Sequence, residues 1–198
     1  MHCSNTSYPL RIHASGFSNG GQFTYYLASY STLPLASVGV VSGSPLLGFG
    51  PVRDSIVPII DLHGHLDSTI PYSVSNGAGR GPQGKFYFCN LFHTIYQSTC
   101  YPGSVETIKS WDGLYYYDKE QYISHIASTW DCDSSEPFPT AMDGVDDFGC
   151  VAHQCGGGRV VSCGGEYDHM YPFSWGDATG LEASKILWRF MEEEAAKK

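Results

Sequence analysis

Ser18 stands in Gly16-Phe17-Ser18-Asn19-Gly20, which fits the pattern G-x-S-x-G. A serine hydroxyl is a poor nucleophile at neutral pH. It needs a base to take its proton, and the base needs a carboxylate to hold its tautomer. The chain offers both in the order serine, acid, base. Asp67 follows in His63-Gly64-His65-Leu66-Asp67-Ser68-Thr69-Ile70-Pro71-Tyr72, and His169 in Gly164-Gly165-Glu166-Tyr167-Asp168-His169-Met170-Tyr171-Pro172. Such a set performs acyl transfer through a covalent acyl-enzyme. Asn19, next to the nucleophile, offers a backbone N–H to the developing oxyanion.

Other chemistry competes for some of these residues. His63-Gly64-His65 with Asp67 resembles an HxHxD metal-binding run, with two imidazoles and a carboxylate on one ion. Ser68 stands where the metallo-β-lactamase pattern needs a further histidine. The expectation is therefore no metal and no cofactor. A glycine-rich turn that binds phosphate, or nothing, is the plain alternative for residues 16–20. Asp54, Asp61 and Asp168 are weaker acid candidates: Asp61 falls inside a strand and Asp168 sits beside the base. His13, His93, His125 and His153 read as ordinary surface or core histidines, and His65 as a residue lining the site.

The elements that must position these groups follow from hydrophobic periodicity. Leu10 to Gly16 reads as a strand running into the serine turn. Gln22 to about Tyr30 reads as a helix, from the recurrence of Phe23, Tyr26, Leu27 and Tyr30. Ala36 to Ser42 and Ile56 to Leu62 are further strands, and Arg159 to Ser162 a fourth. Lys119 to Thr129 reads as a helix. Ala178 to Glu194 reads as a closing amphipathic helix with Leu181, Ile186, Leu187, Phe190 and Met191 inward, capped by Asp177 or Thr179. Continuous apolar strands alternating with helices predict an α/β protein with a mostly parallel sheet covered on both faces. Ser18, Asp67 and His169 then all lie at the carboxyl ends of strands, on one edge. A single domain over residues 1–198 is expected, with an irregular insertion at about 73–118.

Composition narrows the setting. A net charge of -9 with no basic patch argues against nucleic acid as a partner, and no apolar run is long enough to span a bilayer. The seven cysteines include four between 132 and 163. They suggest oxidised cross-links and a secreted protein, with free or metal-binding thiols as the alternative. Cys89 with Cys100 is the first local pair to expect, and Cys3 the odd one out. Asn5-Thr6-Ser7 matches a glycosylation acceptor. The start of the chain does not read as a signal peptide, so a missing or misassigned N-terminus is expected.

Taken together, GFSNGG, HGHLDSTIPY and CGGEYDHMYP resemble the polyhydroxybutyrate depolymerase and feruloyl esterase group of carbohydrate esterases. That group shows G-x-S-x-G-G, then HG-x-x-D-x-x-[VI]-P-Y with the acid, then GG-x-x-H-x-[WY]-P with the base. Asp67 to Tyr72 matches the second motif. His169-Met170-Tyr171-Pro172 matches the third, with Tyr171 where Trp is more usual. Asp112-Gly113-Leu114-Tyr115-Tyr116-Tyr117-Asp118 and Trp130-Asp131-Cys132 resemble the group's DG-x-YY segment and a helix end. The resemblance runs over most of residues 10 to 190. It implies an α/β-hydrolase that cleaves carboxylic esters. The implied substrates are feruloyl or acetyl groups on plant cell-wall polysaccharide, or polyhydroxyalkanoate-type polyesters. The aromatic residues Phe86, Tyr87, Phe88, Phe92, Tyr96, Tyr101, Trp111, Tyr115 and Tyr116 read either as a pocket wall or as core.

Against that pattern only nine residues precede Leu10, where a complete α/β-hydrolase has about four strands and the loop giving the second oxyanion N–H. The expectation is a chain lacking its N-terminal strands, weakly active or inactive alone, with an unpaired first strand. A prolyl-oligopeptidase-type serine peptidase shares the same order of nucleophile, acid and base. A non-catalytic relative of the esterase fold is the third reading.

Overall fold

The computed structural model describes residues 12–47, 57–81, 84–89, 100–133, 135–138, 149–172 and 182–197; for 84–89, 100–104 and 182 it describes the backbone alone. In chain order the elements are β1 (Ile12–Phe17), α1 (Asn19–Tyr30), β2 (Leu35–Val41), β3 (Ile59–Gly64), β4 (Gly79–Arg80), β5 (Gly84–Cys89), β6 (Cys100–Val105), β7 (Thr107–Lys109), β8 (Tyr115–Tyr117), α2 (Lys119–Thr129), β9 (Ser135–Pro137), β10 (Val151–Cys155), β11 (Gly158–Gly165) and α3 (Glu182–Ala196).

Six strands form the central sheet in the order β1-β2-β3-β11-β10-β9. The pairs β1/β2, β2/β3 and β3/β11 are parallel, while β11/β10 and β10/β9 are antiparallel. Among the described residues three helices accompany this mixed, mostly parallel sheet, an α/β arrangement. Every residue of β2 and β3 is buried, as strands covered on both faces must be. Alternation along β3 and β11 shows the two layers. Ile59 and Val160 join a core cluster with Tyr25 of α1 and Tyr122, Ile123 and Ile126 of α2. Ile60, Leu62 and Val161 join the opposite cluster with Ile186, Leu187 and Phe190 of α3. Contact on that second face is close enough that a Cβ on Gly39 of β2 would lie 2.6 Å from Leu187 Cδ2. β1 has no second partner among the described residues, and its Ile12 and Phe17 are exposed.

Several expectations shift. Of the periodic residues of α1 only Leu27 packs against the core: Phe23, Tyr26 and Tyr30 are exposed, and Gly21, Thr24, Tyr25, Ala28 and Ser29 are buried. The smaller side chains are the ones that let the helix lie close to the sheet. A Cβ on Gly43 would come within 2.8 Å of Gly21 Cα, so backbones meet there. Residues 73–118, read as irregular, contain a three-stranded sheet β4-β7-β8 and a two-stranded β5-β6 pair. Gly113, at φ 89°, makes the tight turn between β7 and β8, with Leu114 N donating to Asp112 Oδ1. Among its described residues the cysteine-rich stretch carries β9 and the β10–β11 hairpin.

Two disulfides brace this end of the sheet. Cys132, just past α2, joins Cys155 at the end of β10, and Cys150, just before β10, joins Cys163 of β11. Closing loops of 23 and 13 residues in this way is worth about 3 kcal/mol each on a chain-entropy argument. Cys89 and Cys100 are backbone partners in the β5/β6 ladder, and their side chains lie outside the described residues. So do Leu10, Cys3, the Asn5 triplet, Asp54, Ile56, His93, the cap candidates Asp177 and Thr179, and Leu181.

α3 is held at its far end by charge. Arg159 Nε donates to Glu194 at 2.6 Å and Nη2 to Glu193 at 2.8 Å, and the guanidinium lies over the rings of Phe138 and Phe190. No described helix is long and apolar enough to cross a membrane.

Candidate active site

β1 ends at Phe17, and the chain turns into α1 through a single residue. Ser18 has φ 56° and ψ -121°, a conformation costing a non-glycine residue about 1–3 kcal/mol. The surroundings enforce it. Ser18 N donates to Val41 O at 2.9 Å, and Gln22 N donates to Ser18 O at 3.0 Å, opening the helix. Gly16 is required by contact: a Cβ there would lie 2.3 Å from the carbonyl of Gly20. Gly20 itself has open space where a Cβ would go, so its own side-chain position is not crowded. The turn projects Ser18 Oγ beyond the strand. The first-turn N–H groups of α1, with Asn19's at their head, have no acceptor within the helix and form its positive dipole end.

The structure brings the three sequence-predicted side chains together. Ser18 Oγ lies 2.8 Å from His169 Nε2, across 151 positions of sequence. His169 Nδ1 lies 2.8 Å from Asp67 Oδ2. The network assigns the tautomer: Nδ1–H donates to the carboxylate, leaving Nε2 to accept from the serine. Asp67 is fully buried and His169 partly so. Burial opposes the charge on Asp67. Hydrogen bonds from His169, His63 and the N–H of Ile70 outweigh it, holding the carboxyl down at about 2. Thr69 N and Ile70 N both donate to Asp67 Oδ1, at 2.9 and 2.8 Å.

The loops after β3 and β11 are stitched to each other, which fixes acid and base in register. His65 N donates to Gly165 O and Leu66 N to Tyr167 O. Asp168, weighed from sequence as an acid, is a clamp instead. Its Oδ1 accepts from His169 N at 2.7 Å and from Ser68 N at 3.2 Å. Ser42, at φ 44° after β2, donates its Oγ to Met170 O at 2.9 Å. Phe17 lies against the His169 ring at 5.2 Å between centroids. Sequence reasoning missed Ser42, because nothing local marks a contact 128 positions away.

Beneath the site sits a buried ionic cluster that sequence reasoning also missed. Asp61 shares the face of β3 that carries Ile59 and His63, since side chains alternate along a strand. Its Oδ2 accepts from Lys119 Nζ at 2.8 Å and Tyr25 Oη at 2.5 Å, and Lys119 also donates to Gly43 O. Burial pushes Lys119 down against the pull of Asp61, and pushes Tyr25 well up. The cluster ties α1, α2, β3 and the turn after β2 into one unit, and engages Asp61 where it cannot serve His169. Breaking such a pair costs about 3–5 kcal/mol.

The two histidines of the HxHxD run diverge. His63 is fully buried beside Asp67 at 3.1 Å, while His65 faces outward to Glu166 at 3.3 Å and against Tyr72. Among the described residues no group of three or more His, Cys, Asp or Glu side chains is placed to hold a metal. His13 bonds Ser37 at 2.8 Å, remote in role from the serine. Tyr116 is core, while Trp111 is exposed. Beside the serine turn, a cavity of about 440 Å³ is lined by Asn19, Gln22, Phe23, Tyr26, Tyr30 and Leu46, with Tyr26 and Tyr30 ring centroids 4.9 Å apart.

No family model matches the chain. The bifunctional acetylxylan esterase/xylanase XynS20E of Neocallimastix patriciarum is 29% identical over 119 residues, which is 59% of this chain. The chain spans 17% of that relative's length. A distant relationship to a carbohydrate esterase is what this similarity supports.

Proposed function

We propose that the chain carries the catalytic centre of a serine ester hydrolase of the α/β-hydrolase type, acting on acyl esters of plant cell-wall polysaccharide. One observation carries the reading: the unbroken run of hydrogen bonds from Ser18 Oγ through His169 to the buried carboxylate of Asp67. The naming of the similar protein as an acetylxylan esterase favours acetyl groups on xylan as the first substrate to try. The disulfides Cys132–Cys155 and Cys150–Cys163 favour an extracellular setting.

In this reading His169 Nε2 takes the Ser18 proton as Oγ attacks the ester carbonyl. The tetrahedral oxyanion forms at the amino end of α1, where the Asn19 N–H meets it. Asp67, held ionised, stabilises the imidazolium that results and does not itself take the proton. His169 then gives the proton to the departing sugar alkoxide, leaving an acyl-serine. Water, deprotonated by the same nitrogen, releases the acid. The strained φ of Ser18 is maintained before substrate arrives, so the turn pays no reorganisation during attack.

The test is direct. The chain is treated with a fluorophosphonate probe and assayed on p-nitrophenyl acetate and acetylated xylan. Labelling of Ser18, and a fall in kcat of about 10⁴-fold or more in Ser18→Ala with the fold intact, is the expected result. Failure of the chain to label, or equal turnover in Ser18→Ala, rejects the reading.

A further inference from the structure

His63 has no part in the proton path just described, yet it is fully buried against the acid. Its Nε2 lies 2.9 Å from the carbonyl oxygen of Ile70 and 3.1 Å from Asp67 Oδ2. Both neighbours are acceptors, so Nε2 carries a hydrogen. Nδ1, also buried, has no hydrogen-bond partner, and is the cheaper nitrogen to leave bare. The ring is packed edge-on to Tyr72 at 5.6 Å between centroids. The charged and titratable groups facing it are Asp67 and, through that carboxylate, His169; on the same face of β3 lies Asp61 with Lys119 of α2.

We infer that His63 is a positioning residue for Asp67: its Nε2–H spans the acid and the carbonyl of Ile70, closing the Asp67–Ile70 turn and tempering the carboxylate that His169 uses. This rests on the ester-hydrolase reading for its kinetic consequence, but not for its structural one. Asp67 Oδ1 is already held by the N–H groups of Thr69 and Ile70. Oδ2 must serve His169. Without a second contact it is free to rotate its charge away from Nδ1, and it is also a stronger acceptor when it does engage. A donor shared with Ile70 O limits both. The placement follows from the strand: His63 lies two residues beyond Asp61 on the inward face, which directs its ring beneath the loop that carries the acid.

Two variants separate positioning from packing. His63→Leu keeps bulk and removes the donor. His63→Gln keeps an N–H at nearly the position of Nε2. In His63→Leu, kcat falls about tenfold with KM within about twofold, the scale on which loss of a group orienting a reactive side chain acts. The acidic limb of kcat/KM moves up by about half a pH unit, because a carboxylate with one donor fewer holds the His169 imidazolium more strongly. His63→Gln restores the limb and most of kcat. The same shift is read without turnover by following the His169 ring nitrogens by NMR as pH is varied, so loss of ester hydrolysis in the wild type would reject the functional reading and leave this arm to decide. An unmoved limb and unmoved His169 titration in a folded His63→Leu overturn the inference, as does a His63→Gln indistinguishable from His63→Leu. Should neither variant fold, the ring nitrogens of His63 in the wild type decide: a proton on Nε2 supports the inference and a proton on Nδ1 overturns it.

Discussion

The two halves of the central sheet do different work. In the parallel half, β1, β2, β3 and β11 run the same way, so their carboxyl ends share one edge. Ser18 follows β1, Ser42 follows β2, Asp67 follows β3 and His169 follows β11. In the antiparallel half, neighbouring ends point in opposite directions, and β9 and β10 deliver no residue to the site. Both described disulfides lie at this end instead, through Cys155 at the end of β10 and Cys150 just before it. Parallel pairing gathers side chains from distant sequence at one edge, where only loops and hydrogen bonds need adjust them. The antiparallel end supplies rigidity by covalent closure. Chemistry and cross-linking are thereby kept apart, and meet only in β11, whose Cys163 is locked and whose continuation bears His169.

The separation is open to attack from either side. Replacing Cys150 and Cys163 together with serine is expected to lower stability by about 3 kcal/mol in denaturant melts. Fluorophosphonate labelling of Ser18 below the melting transition should be unchanged; a matching loss of labelling would mean the two halves are not independent. On the parallel side, Gly16→Ala should cost roughly 2–3 kcal/mol and abolish labelling, since the new Cβ meets backbone rather than a side chain that could swing away. Gly20→Ala, with open space at its Cβ, should be tolerated. Similar melts for the two alanine variants would refute the crowding argument. The smallest effect is acid sensitivity. The folded Asp67 carboxyl lies at about 2, below its ordinary value of 3.8, so it contributes stability above the unfolded value that is lost as pH falls toward 2. The difference in stability between wild type and Asp67→Asn should therefore shrink by about 2 kcal/mol between roughly pH 5 and pH 2. A constant difference across that range would show that the carboxylate's partners do not stabilise the fold.

How much of this was legible in the sequence follows from range. α2 is read from its own residues at Lys119–Thr129, because its apolar spacing is local; in the structure Asp118 caps it, its Oδ1 accepting from Gln121 N at 3.2 Å. The serine turn and the two loops with Asp67 and His169 are likewise marked by short motifs. β11 runs on through Gly164 and Gly165, past the predicted Ser162, because these residues pair in parallel with His63 and Gly64 of β3, a contact between elements that is distant in sequence. Propensity counts those glycines against a strand. β4, β7 and β8 are two or three residues long, too short for alternation to register. The outward aromatic face of α1 misleads for the opposite reason, since its strongest periodic signal is not the one the core uses. Lys119 and Ser42 act only through contacts between elements. The one sequence hint was two polar residues, Asp61 and His63, on the same face of an otherwise apolar strand.

The ends of terminal helices ordinarily fray, since their last carbonyls have no partners and little lies above them. α3 does not have that freedom. Its last turn holds Glu193 and Glu194 against Arg159 near the start of β11, and the Arg159 guanidinium also lies over the adjoining rings of Phe138 and Phe190. Peeling the last turn back would take both carboxylates from the Arg159 guanidinium. This end of α3 is thus tied to the sheet, and the strand leading to His169 is moored at its far end by Glu193 and Glu194.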